Sequence, residues 1–233
     1  MLPIITFAIT FIPVMGIAEI ISRQIIIQSH IITYGNVADM AITERMRDEI
    51  ETMWNEPKGI MEWNGKELAI AFSITSSFKP NIPPIEIYQN VDPRNNYFRI
   101  EEFAQGNISF VDGIGCNSGY FKLENLYKGS TTAAHEYGHT IGLHHPVDLD
   151  LRGKGVPGIM YPRGTLVDPQ YQYNPAGAAG DSSNGGTMHP RYRRVLPHDI
   201  TLLKLHKLDF RNGKAVIGEF SSVWHPDHAD INV

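Results

Sequence analysis

Four histidines, one glutamate and two glycines fall within TTAAHEYGHTIGLHHP, residues 131–146 of a 233-residue chain. His135 and His139 are four apart, so on a helix both imidazoles leave the same face and can meet one metal ion. Imidazole nitrogen suits Zn²⁺, and zinc with one open position lowers the pKa of its bound water to about 7, which makes a nucleophile available at neutral pH. Glu136 stands beside the pair, where a carboxylate can take that water's proton. It reads as a general base rather than a ligand.

Two imidazoles do not complete a catalytic site, so a third ligand must come from chain that has left the helix and turned back. Gly142 can take the left-handed conformation that ends a helix, and Pro146 blocks helical continuation. His144 and His145 lie between them, and one of the two is expected to close the site.

HEYGHTIGLHH resembles the H-E-x-x-H-x-x-G-x-x-H signature of the metzincin zinc peptidases. The resemblance implies one catalytic zinc held by His135, His139 and His145, with Glu136 as base, Gly142 as hinge and His144 off the metal. PGIMYPRG is similar to the Met-Tyr-Pro turn of the matrixin branch. That implies Met160 beneath the zinc and Tyr161, Pro162 and Arg163 in the substrate wall, although the link from His145 is longer than matrixins use. GGTMHPRY offers Met188 as the alternative turn, at a distance more like the astacins but without their tyrosine two residues on. LPHDITLLKLHKL also looks matrixin-like, with Asp199 at the place of an acidic residue under the site. The implied fold is α+β: a mixed, twisted sheet with a backing helix and the active-site helix, then a smaller, irregular C-terminal subdomain with a final helix. Motif-level likeness covers roughly residues 100–208. The run from NNYFRIEEF to IMYPRG also looks like peptidase domains at the C-terminal ends of bacterial Rhs-type toxins.

The elements that must position this motif are readable upstream. QIIIQSHIITYG reads as a strand. In the segment that follows, Ile42, Met46, Ile50, Met53 and Trp54 trace one helical face, closed by Pro57 and Gly59. KELAIAFSITSSF reads as a buried strand, and IEIYQNV and NYFRIEEF as shorter ones. NISFVDGIG and GYFKLENLY read as strands around a glycine turn. Beyond the motif, YNPAGAAGDSSNGG is loop. Ile200, Leu203 and Leu208 mark a last amphipathic helix whose first turn suits Pro197 and Asp199. The tail from Lys214 suggests a short hairpin. The expected division is an apolar segment at 1–23, a catalytic domain at 24–209 and an extension at 210–233. The apolar opening is a linker, an export signal or a first buried segment, since Pro3, Pro13 and Gly16 interrupt it and no Lys or Arg precedes it.

A net charge of -5 gives no basic footprint for nucleic acid. The RYRR run at 191–194 reads as a short solvated loop. One cysteine, Cys116, excludes an intrachain disulfide framework and any Cys-rich zinc knuckle; it is expected to be a structural thiol. Calcium is not indicated, because in DLDLRGKG Arg152 stands where a third oxygen ligand belongs. His225 and His228 in WHPDH read as solvated, and Asn107 of NIS has meaning as a glycan acceptor only in a eukaryotic secretory setting. The expectation is a monomeric zinc endopeptidase acting on a protein or peptide bound extended along an edge strand, without membrane association. It would be secreted, delivered as a toxin domain, or cytoplasmic. A zinc hydrolase of non-peptide amides or esters and a non-catalytic zinc module are the alternatives.

Overall fold

The computed structural model describes residues 16–219 and 221–228. Its centre is β2 (Gln24–Tyr34), the isoleucine-rich strand, which pairs in parallel with β4 (Lys66–Phe78) and with β5 (Asn95–Glu101). Side chains alternate along β2. Ile25, Ile27 and Ile31 enter the main core, whereas Ile32 and Tyr34 enter a second cluster with Ile82, Ile87 and Tyr97. β5 continues in parallel to β7 (Ser118–Lys122), whose outer neighbour is the short antiparallel β6 (Phe110–Val111). On the other side, β3 (Ile60–Trp63) pairs antiparallel with β4. The eight-stranded mixed sheet and its helices give the expected α+β fold.

The backing helix is α1 (Met40–Asn55), started by Asp39, whose Oδ1 accepts the Ile42 N–H at 2.7 Å. Its stripe of Met46, Ile50 and Trp54 is buried on the sheet and on α3 (Thr132–Thr140), the helix that carries HEYGH. Tyr137 of α3 packs edge-on to Trp54 and shares a hydrogen bond with Ser29 Oγ of β2 at 2.9 Å. Trp54 Nε1 donates to the Ala134 carbonyl. The helix α3 is thereby clamped between α1 and the sheet.

Several expectations need correction. IEIYQNV is not a strand: Pro83 and Pro84 open a helical turn, α2 (Pro84–Tyr88), because proline fits the first helical position and only Ile87 of the alternating isoleucines is buried. The last helix, α4 (Pro197–Leu202), is shorter than the apolar pattern, because Lys204 takes a left-handed conformation (φ 50°) and Leu208 lies beyond it. Residues of the apolar opening form β1 (Ile17–Ile21), antiparallel to β2, and the tail adds β8 (Lys214–Val216) to β1 rather than an independent hairpin. An export signal would fall largely on 1–15, outside the described residues. His225 is not solvated: it is buried and its Nε2 lies 3.0 Å from the Asp112 carboxylate, while His228 stacks on Tyr120. Among the described residues no helix is long and apolar enough to cross a membrane.

Candidate metal centre

The helix start is unusual. Thr131 has a left-handed backbone (φ 63°) and spends its hydroxyl on the Pro190 carbonyl, so it offers α3 no cap of its own. The first-turn amides are met from elsewhere. Ser130 Oγ accepts from Thr132 N, and Glu49 Oε1 of α1 accepts from Ala134 N at 3.1 Å. A carboxylate at a helix N-terminus is favoured by the exposed N–H groups and the helix dipole. Burial nevertheless pushes the Glu49 carboxyl above its ordinary range, against these hydrogen bonds.

The helix ends at Thr140, and Gly142 follows at φ 99°. Leu143 N donates to the Gly138 carbonyl and Gly142 N to the His139 carbonyl, the paired bonds of a glycine-terminated helix. The turn sends the chain back so that His145 faces His135 and His139. Nε2 of His145 lies 3.1 Å from Nε2 of His135 and 3.0 Å from Nε2 of His139. His135 Nδ1 is 2.6 Å from the Ile159 carbonyl and His139 Nδ1 is 2.7 Å from the Leu143 carbonyl. A carbonyl only accepts, so both Nδ1 atoms carry the proton and both Nε2 atoms present lone pairs. Burial lowers all three imidazole pKa values, that of His139 to about 4, so the rings are neutral at pH 7. His145 can donate to only one of its two neighbours. Three convergent neutral nitrogens, two of them on rings whose second nitrogen is tied to a backbone carbonyl, are the donor set of a zinc site, and the residues present fit that ion. His144 lines the same cleft but is not one of the three convergent rings.

Glu136 is buried and lines the cleft with the histidines. Desolvation raises its pKa to about 8, opposed by the Arg193 guanidinium, the Val111 backbone N–H and Arg163. The cleft encloses about 620 Å³ between β6, α3 and the chain at Pro162 and Arg163.

Met160 is buried under α3 against Gly138, while Met188 sits in a separate cluster with Leu151 and Val167. Of the two methionines, Met160 is the one that touches the ligand-bearing helix. Pro162 and Arg163 line the cleft; Tyr161 packs toward the Met188 cluster and its carbonyl accepts from Arg193 Nη1 at 3.2 Å. Asp199 is buried, accepts the Leu196 N–H at 2.7 Å and faces Gly158 beneath the Ile159–Met160 turn. Cys116 belongs to the loop after β6, where Gly115 N donates to the His139 carbonyl, and does not line the cleft. Asp148 and Asp150 pair with Lys154 and Arg152.

Two residues of this site are absent from the sequence reading. Arg193, placed there in a solvated basic run, is 3% exposed and lines the cleft. Glu49 caps α3. Its signal was available, since position 49 lies three after Met46 and four before Met53, an acid inside an apolar stripe.

No protein-family model matches the chain. Over 97 residues it is 35% identical to Serralysin G of Dickeya chrysanthemi; that stretch is 40% of this chain and 20% of the relative, so most of the relative has no counterpart here. A solved structure similar to it is archaemetzincin from Methanopyrus kandleri, with a TM-score of 0.40 and 10% identity, covering 76% of this chain and 94% of that one.

Proposed function

We propose that this chain is a zinc-dependent endopeptidase of metzincin type. The observation that carries the reading is the convergence of the Nε2 atoms of His135, His139 and His145, the first two on rings whose Nδ1 is held by a backbone carbonyl, with Glu136 in the same cleft. Zinc, when bound, supplies a Lewis acid for the water and the scissile carbonyl. Glu136 takes a proton from the attacking water and passes it to the leaving amine. Its raised pKa suits the second task, and the positive charge around it favours the ionised form needed for the first. An extended substrate pairs its main chain with β6, the border strand that lines the cleft, so that affinity comes from backbone hydrogen bonds. Pro162 and Arg163 form a side of the substrate cleft. The Met160-Tyr161-Pro162 run supports a matrixin-like turn, with the difference that the link from His145 is long.

The test is casein or gelatin hydrolysis by protein of measured zinc content, with and without a chelator. Chelator-sensitive cleavage restored by zinc is expected. Zinc binding without cleavage of any protein would refute the peptidase reading.

A further inference from the structure

The cleft holds positive charge that proton transfer and metal binding leave unused. Arg193 is buried, and its described hydrogen bonds run to uncharged acceptors: Nε to Thr131 Oγ1 at 3.0 Å and Nη1 to the Tyr161 carbonyl at 3.2 Å. Among the described residues neither Arg193 nor Arg163 forms an ion pair. Arg163 instead donates to Asn125 Oδ1 at 2.7 Å on the cleft wall. The contrast within the molecule is Arg99, which is also buried but is paired with Glu101. A buried guanidinium without a carboxylate is costly and uncommon.

The carboxylates whose charge reaches Arg193 are already engaged. Glu136 shares the cleft with the three histidines, and Glu49 is spent on the amides of α3. Glu136 is also the one carboxylate among the cleft-lining residues, against Arg163 and Arg193. Tyr127, Tyr173 and His189 surround the arginines without adding an acid. A neutral peptide would leave the Arg193 guanidinium desolvated and unmatched, whereas a carboxylate offers it a charge-assisted, bidentate partner.

We propose that Arg193 and Arg163 form a carboxylate-recognition site in the cleft, so that the preferred substrate carries an acidic group beside the scissile bond. The assignment deepens the peptidase reading and rests on it for the word substrate, but carboxylate binding stands or falls separately. Two sources offer the same chemistry: an Asp or Glu side chain within a peptide, and the carboxylate that ends one.

The test uses zinc-loaded Glu136→Gln protein, which keeps the cleft but lacks the base, and fluorescence anisotropy with peptide pairs that differ only as Glu against Gln at one scanned position. Both ends are blocked in one set, and the C-terminus is free in a second. The acid-bearing peptide is expected to bind about tenfold tighter or more at one position, in line with a hydrogen-bonded charge, with the preference shrinking as salt rises. Adding Arg163→Gln should weaken the preference, and adding Arg193→Gln should remove it. Preference in the blocked set assigns a side chain. Tighter binding of free-ended than of blocked peptides, in the Glu and Gln forms alike, assigns the terminal carboxylate and overturns the endopeptidase reading alone. Equal binding of all peptides, acidic or neutral and blocked or free-ended, overturns the proposal, as does a preference that survives both substitutions. Should Arg193→Gln fail to fold, a preference untouched by the exposed Arg163→Gln overturns it as well. Wild-type protein that cleaves acidic and neutral peptides alike leaves a peptidase without this site. Wild-type protein that cleaves nothing, beside a Glu136→Gln variant that still selects acids, leaves the site without a peptidase.

Discussion

Met160 lies against the bare Cα of Gly138, so closely that a Cβ on that glycine would overlap the Met160 sulfur and approach Trp54 Cζ2 at 3.1 Å. Gly138 sits one residue before His139, on the helix face turned away from the cleft. Overpacking of this kind costs about 1–3 kcal/mol. Gly138→Ala is therefore expected to lower the midpoint of denaturant unfolding, with part of the loss recovered when Met160 is shortened to Ala in the same chain. A Gly138→Ala protein of wild-type stability would mean that the methionine is not packed as described.

The adjacent histidines should separate cleanly. His145→Ala removes one of three convergent nitrogens, and loss of zinc is expected on purification without added metal. His144→Ala leaves all three in place and should retain it. Metal analysis of the two proteins side by side decides the point. Zinc lost from His144→Ala and kept in His145→Ala would mean that the turn at Gly142 runs differently.

Glu136→Gln keeps shape and removes the proton acceptor. Zinc content is expected to match the parent, while hydrolysis falls about 10²-fold or more. Loss of the metal would instead make the carboxylate a ligand.

Glu49 gives the fold a pH dependence. Burial raises its folded pKa above the ordinary glutamate value of 4.5, so between those two values folding takes up a proton. Its contribution to stability is whole below 4.5 and is lost as pH rises through the folded value. Glu49→Gln cannot lose it. The unfolding free energy of the variant should gain on that of the wild type from mildly acidic to mildly alkaline buffer, as measured by urea titration at each pH. A wild type that gains on the variant over that range would reverse the assignment.

What could be read from the sequence were features that repeat or sit close together. The period of Ile42, Met46, Ile50 and Met53 marks α1 because one face is buried along its whole length. The eleven residues from His135 to His145 encode their own geometry, since helix spacing aligns two rings and one glycine reverses the chain. What escaped depends on partners distant in sequence. Nothing near Arg193 signals that the Thr131 hydroxyl and the Tyr161 carbonyl will enclose it, and nothing near His225 announces Asp112. IEIY alternates like a strand, yet two preceding prolines and one available apolar niche, at Ile87, make it a helical turn.

The pairing of Ile17 with Val216 joins residues that bracket nearly all of the described chain. During synthesis the isoleucine-rich β1 can settle on β2 early, because their hairpin is local, but the outer rim of β1 waits for Lys214–Val216 to be made. Contacts between such distant residues form late, after the entropy of closing the intervening loop has been met. In that interval the rim presents unpaired amides and carbonyls that a second nascent chain can adopt as its own rung. One border of the sheet must thus be sealed by the molecule itself before a neighbour reaches it, while another, at β6, carries no further strand among the described residues.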